Sequence, residues 1–239
     1  MRIKEIQKEI EELTVFLLNN DLVLDTNSPI IQDRNKREYL TWSGAPKTGL
    51  ISNNFATISE YVKIILNRFY NFVLKDGGVV QFGYIFEKDL LVKQRICFFP
   101  CPIDISPEEV EDIKPGEDFV TLFQLLLEQE ITEINVHLHE QRLSEMIGRF
   151  YTRSPLRFEF DSENRNIDHP SSHLHINKES FRLPISGPIC NGHFIHLIFR
   201  LFYPDIWSEY PLIRGWPISN QTRTILTEHS KSLYLESNC

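Results

Sequence analysis

Along the N-terminal segment, apolar residues recur at Ile3, Ile6, Ile10, Leu13 and Leu17, with Glu5, Lys8, Glu9, Glu11 and Glu12 between them. That spacing lays one apolar stripe along a helix and predicts an amphipathic helix over 2–19. Residues 26–54 are rich in Asn, Ser, Gly, Pro and charge, and read as loop around one short strand at 38–42. Ile58, Val62, Ile65, Phe69 and Phe72 restore the helical period, so a second helix is expected over 56–75, stopped by Asp76-Gly77-Gly78. The pattern then changes period. Residues 79–86 and 90–99 are dense in β-branched and aromatic side chains around Glu87-Lys88-Asp89, which predicts an antiparallel hairpin.

Pro100 and Pro102 end the hairpin, and Ser106-Pro107-Glu108-Glu109 has the N-cap chemistry of a helix start. That helix is short, because Pro115-Gly116 breaks it; another is expected over 119–129. Further on, Leu156, Phe158 and Phe160 alternate with Arg157, Glu159 and Asp161, the period of a half-buried strand within 149–161. Short strands at 173–176 and 180–183 flank the turn Asn177-Lys178-Glu179. An apolar helix follows over about 189–202, and a last one over 219–229. With no repeat, low-complexity tract or clear linker, the expectation is one α+β domain over 1–239. A central antiparallel sheet is drawn from 79–99, 149–161 and 172–183, with helices packed on one face.

Composition narrows the class. The chain has 239 residues, 41% hydrophobic and 24% charged, with four cysteines and a formal net charge of −8. It has no apolar run of membrane-spanning length and no apolar stretch behind Met1-Arg2-Ile3-Lys4-Glu5, so neither a membrane span nor a secretory signal is expected. Too few cysteines for a disulfide framework point to a reducing cytoplasm. Residues 1–144 hold 15 Lys and Arg against 23 Asp and Glu, whereas 145–239 hold ten of each. An acidic protein is a poor generic nucleic-acid binder. The acidic half suits a solvated face or a basic partner, and any phosphate chemistry belongs to the neutral half.

The candidate chemistry there is histidine. Seven of the eight histidines lie between 137 and 196, and His-x-His occurs at His137/His139 and at His173/His175. On a strand, residues i and i+2 share a side, so His173 and His175 project together. His169, Arg157, Glu159 and Arg182 fall where they could join them on one sheet face. Two imidazoles and a guanidinium suit metal-independent RNA cleavage: one imidazole takes the 2′-hydroxyl proton, the other protonates the leaving oxygen, and arginine holds the phosphate. Zinc is the rival chemistry, with His169 or Glu159 as third ligand. Only three inexpensive ligands are in view where a closed zinc site takes four, so no bound metal and no other cofactor is expected. The bland alternative is a polar sheet face whose histidines simply hydrogen-bond to neighbours. It is the stronger reading for His137 and His139, and for His193 and His196 on the apolar helix. Cys97 and Cys101 read as buried thiols. The segment Ser43–Gly49 lacks phosphate-loop spacing, and Trp207, Tyr210 and Trp216 sit in a Pro-rich stretch expected to pack over the sheet, with an exposed interaction patch as the alternative.

The strings Ser154-Pro155-Leu156-Arg157-Phe158-Glu159-Phe160-Asp161, His169-Pro170-Ser171-Ser172-His173-Leu174-His175-Ile176-Asn177, Arg182-Leu183-Pro184 and Phe199-Arg200-Leu201-Phe202-Tyr203-Pro204 resemble the bacterial family domain of unknown function 2290. The hairpin over 81–102 fits as well, so the resemblance spans most of the chain, and that family carries no biochemistry to transfer. His169-Pro170 with His173 and His175 is more distantly similar to the TumE-type toxins, which are thought to be ribonucleases. These resemblances imply a bacterial defence or toxin–antitoxin-like role, with a protein partner encoded nearby and RNA as the nucleic acid. The competing expectation is a non-enzymatic subunit of a defence complex, docking through its acidic half.

Overall fold

The computed structural model describes residues 2–45, 57–103, 105, 120, 121, 124, 128, 153–164, 166, 168–218, 223–231 and 234–236. Helix α1 (Ile3–Asn19) buries the five predicted positions, Ile3, Ile6, Ile10, Leu13 and Leu17. Strands β1 (Val23–Thr26), β2 (Pro29–Arg34) and β3 (Arg37–Trp42) follow, so the stretch expected to be mostly loop holds one further strand, β2, and β1 runs into its start. β2 and β3 form a hairpin turned by Asn35 and Lys36, both at positive φ.

Helix α2 (Ile58–Leu66) is capped by Thr57, whose side chain accepts from the Glu60 backbone N–H. It ends nine residues short of the expected boundary at 75. Arg68 adopts a positive φ of 54°, and β4 (Phe72–Leu74) takes the place of the last two helical turns. Tertiary packing overrides the helical spacing here. Phe72 and Leu74 enter one core while Val73 enters another, the alternation only a strand provides.

β5 (Val79–Glu87) and β6 (Leu90–Phe99) form the expected hairpin, with Lys88 and Asp89 in its turn. β7 (Leu156–Asp161), β8 (Ser172–Ile176) and β9 (Leu183–Pro184) extend the sheet. The strand order is β1-β4-β5-β6-β7-β8-β9 and every neighbouring pair is antiparallel. β5 is long enough to hold β4 at its start and β3 further along, with β2 beyond β3.

Helix α3 (Asn191–Phe202) packs Phe194 edge-on against Phe82 and Phe158, at 5.7 and 6.0 Å between ring centres. With α1 it covers the face carrying Val80, Phe82, Ile96, Phe98 and Leu174. α2 covers the opposite face, where Tyr61, Ile64 and Ile65 meet Val73, Val79, Cys97 and Phe99. Helices therefore lie on both faces of the sheet, which corrects the one-sided expectation. Each central strand was apolar on both sides of its pleat, as a sheet buried on both faces requires.

Short helices α4 (Pro204–Glu209) and α5 (Pro211–Arg214) carry Trp207 and Tyr210 onto the α1–α3 core, with Trp216 beside them. The helix expected over 219–229 does not form in its described part. The N–H groups of Thr224 and Ile225 both go to the Ser186 carbonyl, and only one 3₁₀ turn, His229–Lys231, follows. Val120, Thr121, Gln124 and Glu128 are helical, as expected for 119–129. The helix over 106–115, His137, His139 and Cys239 lie outside the described residues. No described helix is long and apolar enough to cross a membrane.

Candidate functional site

The face of the sheet under α2 changes character along its strands. Near α2 it is apolar. Toward β8 two cross-strand rows become charged: Arg95 opposite Glu159 opposite His173, and Cys97 opposite Arg157 opposite His175. Period-two alternation sends all six side chains to one side, while Ile96, Phe158 and Leu174 fill the α1–α3 core behind them.

Glu159 is the centre of this group. Its Oε1 lies 2.5 Å from Arg95 Nη2 and 3.2 Å from Arg157 Nε. Its Oε2 lies 3.2 Å from His175 Nε2 and 3.4 Å from His173 Nε2. The two imidazole Nε2 atoms are 2.9 Å apart, and His173 Nδ1 is 2.7 Å from the Pro170 carbonyl oxygen. That carbonyl only accepts, so His173 Nδ1 carries a proton and donates it. His173, His175 and Arg157 are 0%, 1% and 1% exposed, and the Glu159 side chain is 15% exposed.

Burial alone would raise the Glu159 pKa. Hydrogen bonds from the two histidines and the charges of Arg95 and Arg157 override it and hold the carboxyl far below its usual range. Burial pushes His175 below its ordinary value, with Arg157 adding to the effect and Glu159 opposing it.

His169 stands at the open edge. Its ring meets that of His173 edge-on at 4.9 Å, and its Nδ1 donates to the Asn164 carbonyl at 3.1 Å. Burial, then His173 and Arg182, lower its pKa. The loop holding it is tied down by Asp161, which accepts from the backbone of Glu163 and Asn164 and from Lys93. Arg182 precedes β9 rather than lying within the expected strand, since that strand is only Leu183–Pro184. Pro184 pairs with His173, so parity turns Arg182 toward the histidine side. Its Nε is buried with no hydrogen-bond partner among the described residues.

Glu159, His173, His175 and Arg157 thus form one cluster, with His169 against it and Arg182 close enough to repel His169. Sequence reasoning left out Arg95, although Lys93, Arg95 and Cys97 alternate with apolar residues in β6. Finding it required the β6–β7 register. His193 and His196 lie on α3, apart from the cluster. His193 Nδ1 is 3.5 Å from Cys190 Sγ, and His196 meets the Trp207 ring at 5.3 Å. Cys97 and Cys101 are buried thiols pushed up to about 12 and about 11 by desolvation, too high for nucleophiles at neutral pH.

The fold and site define an α+β protein whose antiparallel sheet is covered on both faces and carries a His–carboxylate–arginine cluster on one of them. The chain belongs to the uncharacterized conserved protein family DUF2290, whose match covers residues 22–237. No curated protein and no solved structure matches it.

Proposed function

We propose that this chain cleaves RNA at the edge of the Glu159 cluster, as the catalytic member of a bacterial defence or toxin–antitoxin-like pair. The observation that carries the reading is charge. Two guanidiniums meet one carboxylate, leaving an excess of positive charge, and Arg182 extends it to the open edge beside His169. Such a site attracts a phosphate.

The geometry changes the division of labour among the histidines. In-line attack puts the incoming and leaving oxygens on opposite sides of phosphorus, so acid and base nitrogens stand roughly 6 Å apart or more. His173 and His175 meet at 2.9 Å and act as one unit. In this proposal the partly exposed His169 takes the 2′-hydroxyl proton through Nε2, since its Nδ1 is engaged. The 2′-oxygen bonds to phosphorus while Arg182 holds the phosphate. The bond to the 5′-oxygen breaks, and that oxygen receives the proton shared by His173, His175 and Glu159.

His169→Ala and Arg182→Ala are each expected to slow cleavage of single-stranded RNA by at least about 100-fold with little change in melting temperature. Full activity in both variants would sink the proposal. The burial of His173 and His175 favours the second reading, a non-enzymatic subunit whose cluster only braces the sheet. Copurification with a stoichiometric partner, and no cleavage by that complex, would decide for it.

A further inference from the structure

We infer that Glu159, His173 and His175 form a binding site for a divalent transition-metal ion, zinc first. The observation is a triangle of lone-pair atoms. Glu159 Oε2, His173 Nε2 and His175 Nε2 lie 2.9, 3.2 and 3.4 Å from one another. Zinc bonds of about 2.0–2.2 Å in tetrahedral geometry place ligand atoms roughly 3.3–3.4 Å apart, and an octahedral ion brings adjacent ligands to roughly 3 Å. The observed edges span these values. One ion therefore fits the three atoms with small adjustments, as two imidazoles and one carboxylate on one face of a coordination sphere.

The orientation of the rings supports the same conclusion. His173 Nδ1 is engaged by the Pro170 carbonyl, which turns its Nε2 toward Glu159 and His175. Three potential ligand atoms thus converge on one point, the arrangement a cation occupies.

The surroundings match a metal site's outer shell. A ligating histidine characteristically donates its second nitrogen to a carbonyl or carboxylate, as His173 does. Arg95 and Arg157 both bind Oε1 of Glu159, fixing the carboxylate so that Oε2 alone faces the histidines. Their two charges exceed that of the single carboxylate, so a bound dication leaves a strongly positive centre that calls for an anionic fourth ligand such as a phosphate oxygen. A closed structural zinc site takes four protein ligands, whereas three protein ligands with one open position is the pattern of catalytic zinc. Binding displaces the proton shared within the cluster to solvent, so the metal-loaded site and the proton-donating cluster of the cleavage reading are alternative states of one group.

The metal assignment does not rest on RNA cleavage. Full-length protein stripped with chelator is titrated with Zn²⁺ and, separately, with Co²⁺. The expected results are one equivalent of either ion, intense visible absorption for four-coordinate cobalt or weak absorption for six-coordinate, and a zinc-dependent shift of the His173 and His175 Nε2 signals in histidine NMR. His175→Ala and Glu159→Gln should each weaken binding by at least about 100-fold, whereas His193→Ala should bind as the parent does. Substoichiometric binding, or binding retained in both cluster variants, overturns the inference. The wild-type NMR result stands independently of whether those variants fold: His173 and His175 Nε2 signals unmoved at saturating zinc also overturn it. Zinc binding without cleavage of RNA would keep this site and remove only the catalytic reading.

Discussion

Glu159 is paired with Arg95, Arg157, His173 and His175, and of these Arg157 also reaches Glu179, at 3.5 Å, so the group is held chiefly by one anion. Truncating a partner leaves the rest of the group poorly satisfied in a buried place, and that penalty exceeds the net worth of a single hydrogen bond. His173→Ala and His175→Ala are therefore expected to destabilise the fold by about 1–3 kcal/mol. For a chain of this size that lowers the melting temperature by roughly 3–10 °C, measurable by thermal denaturation. His169→Ala, at the open edge, should move it far less. Burial makes activity loss in the two buried variants ambiguous, which is why His169 and Arg182 are the better probes of chemistry. The meeting of His173, His175, Arg157 and Glu159 was legible from alternation alone. Their depth was not, because alternation gives the side of a sheet and says nothing about what covers it.

Among elements, the junction of α1 with α3 contains a titrating group. Asn191 donates to Glu9 at 3.0 Å and accepts from the buried Tyr84 hydroxyl. Burial raises the Glu9 pKa, the bond from Asn191 opposing and Glu12 and Glu5 reinforcing it. An acid whose folded pKa is raised loses stability as pH climbs from its unfolded value through its folded one. Glu9→Gln keeps an acceptor for Asn191 and cannot ionise. It should raise the melting temperature at pH 7, with the gain shrinking as pH falls toward 4.5, the ordinary value for the carboxyl, and levelling off below it. A constant difference across that range would contradict the argument. The same helix was fully readable in the sequence, since five apolar positions at helical spacing face one core. The segment after α2 was misread for an instructive reason. Phe69 and Phe72 continue the spacing of Ile65, yet Phe69 belongs to a turn behind Arg68, and Phe72 to a strand. β1 and β2 were hidden because four to six residues with few apolar side chains carry little periodic signal.

At the scale of the molecule, two apolar cores share one sheet. β5 gives Val80 and Phe82 to one and Val79 to the other, and β6 divides Phe98 from Phe99 in the same way. Neither core can melt without withdrawing strands from its neighbour. Thermal unfolding is expected to be a single transition, with far-ultraviolet circular dichroism and tryptophan fluorescence coincident; Trp42 lies in β3 and Trp207 in α4. Two separated transitions would mean two independently folding units. The shared strands also set an order of assembly. β5 and β6 meet across the two residues Lys88 and Asp89, so their ladder closes with almost no loop. β7 reaches β6 only after the chain has travelled from Phe99 to Leu156, and β3 must reach β5 around α2 and β4. Loop-closure entropy grows only logarithmically with such detours, but it is incurred before any contact compensates it. The hairpin is accordingly the template on which the edges condense, and the histidine strand, fastened to β7 and not to β6, is among the last parts of the sheet to be assembled.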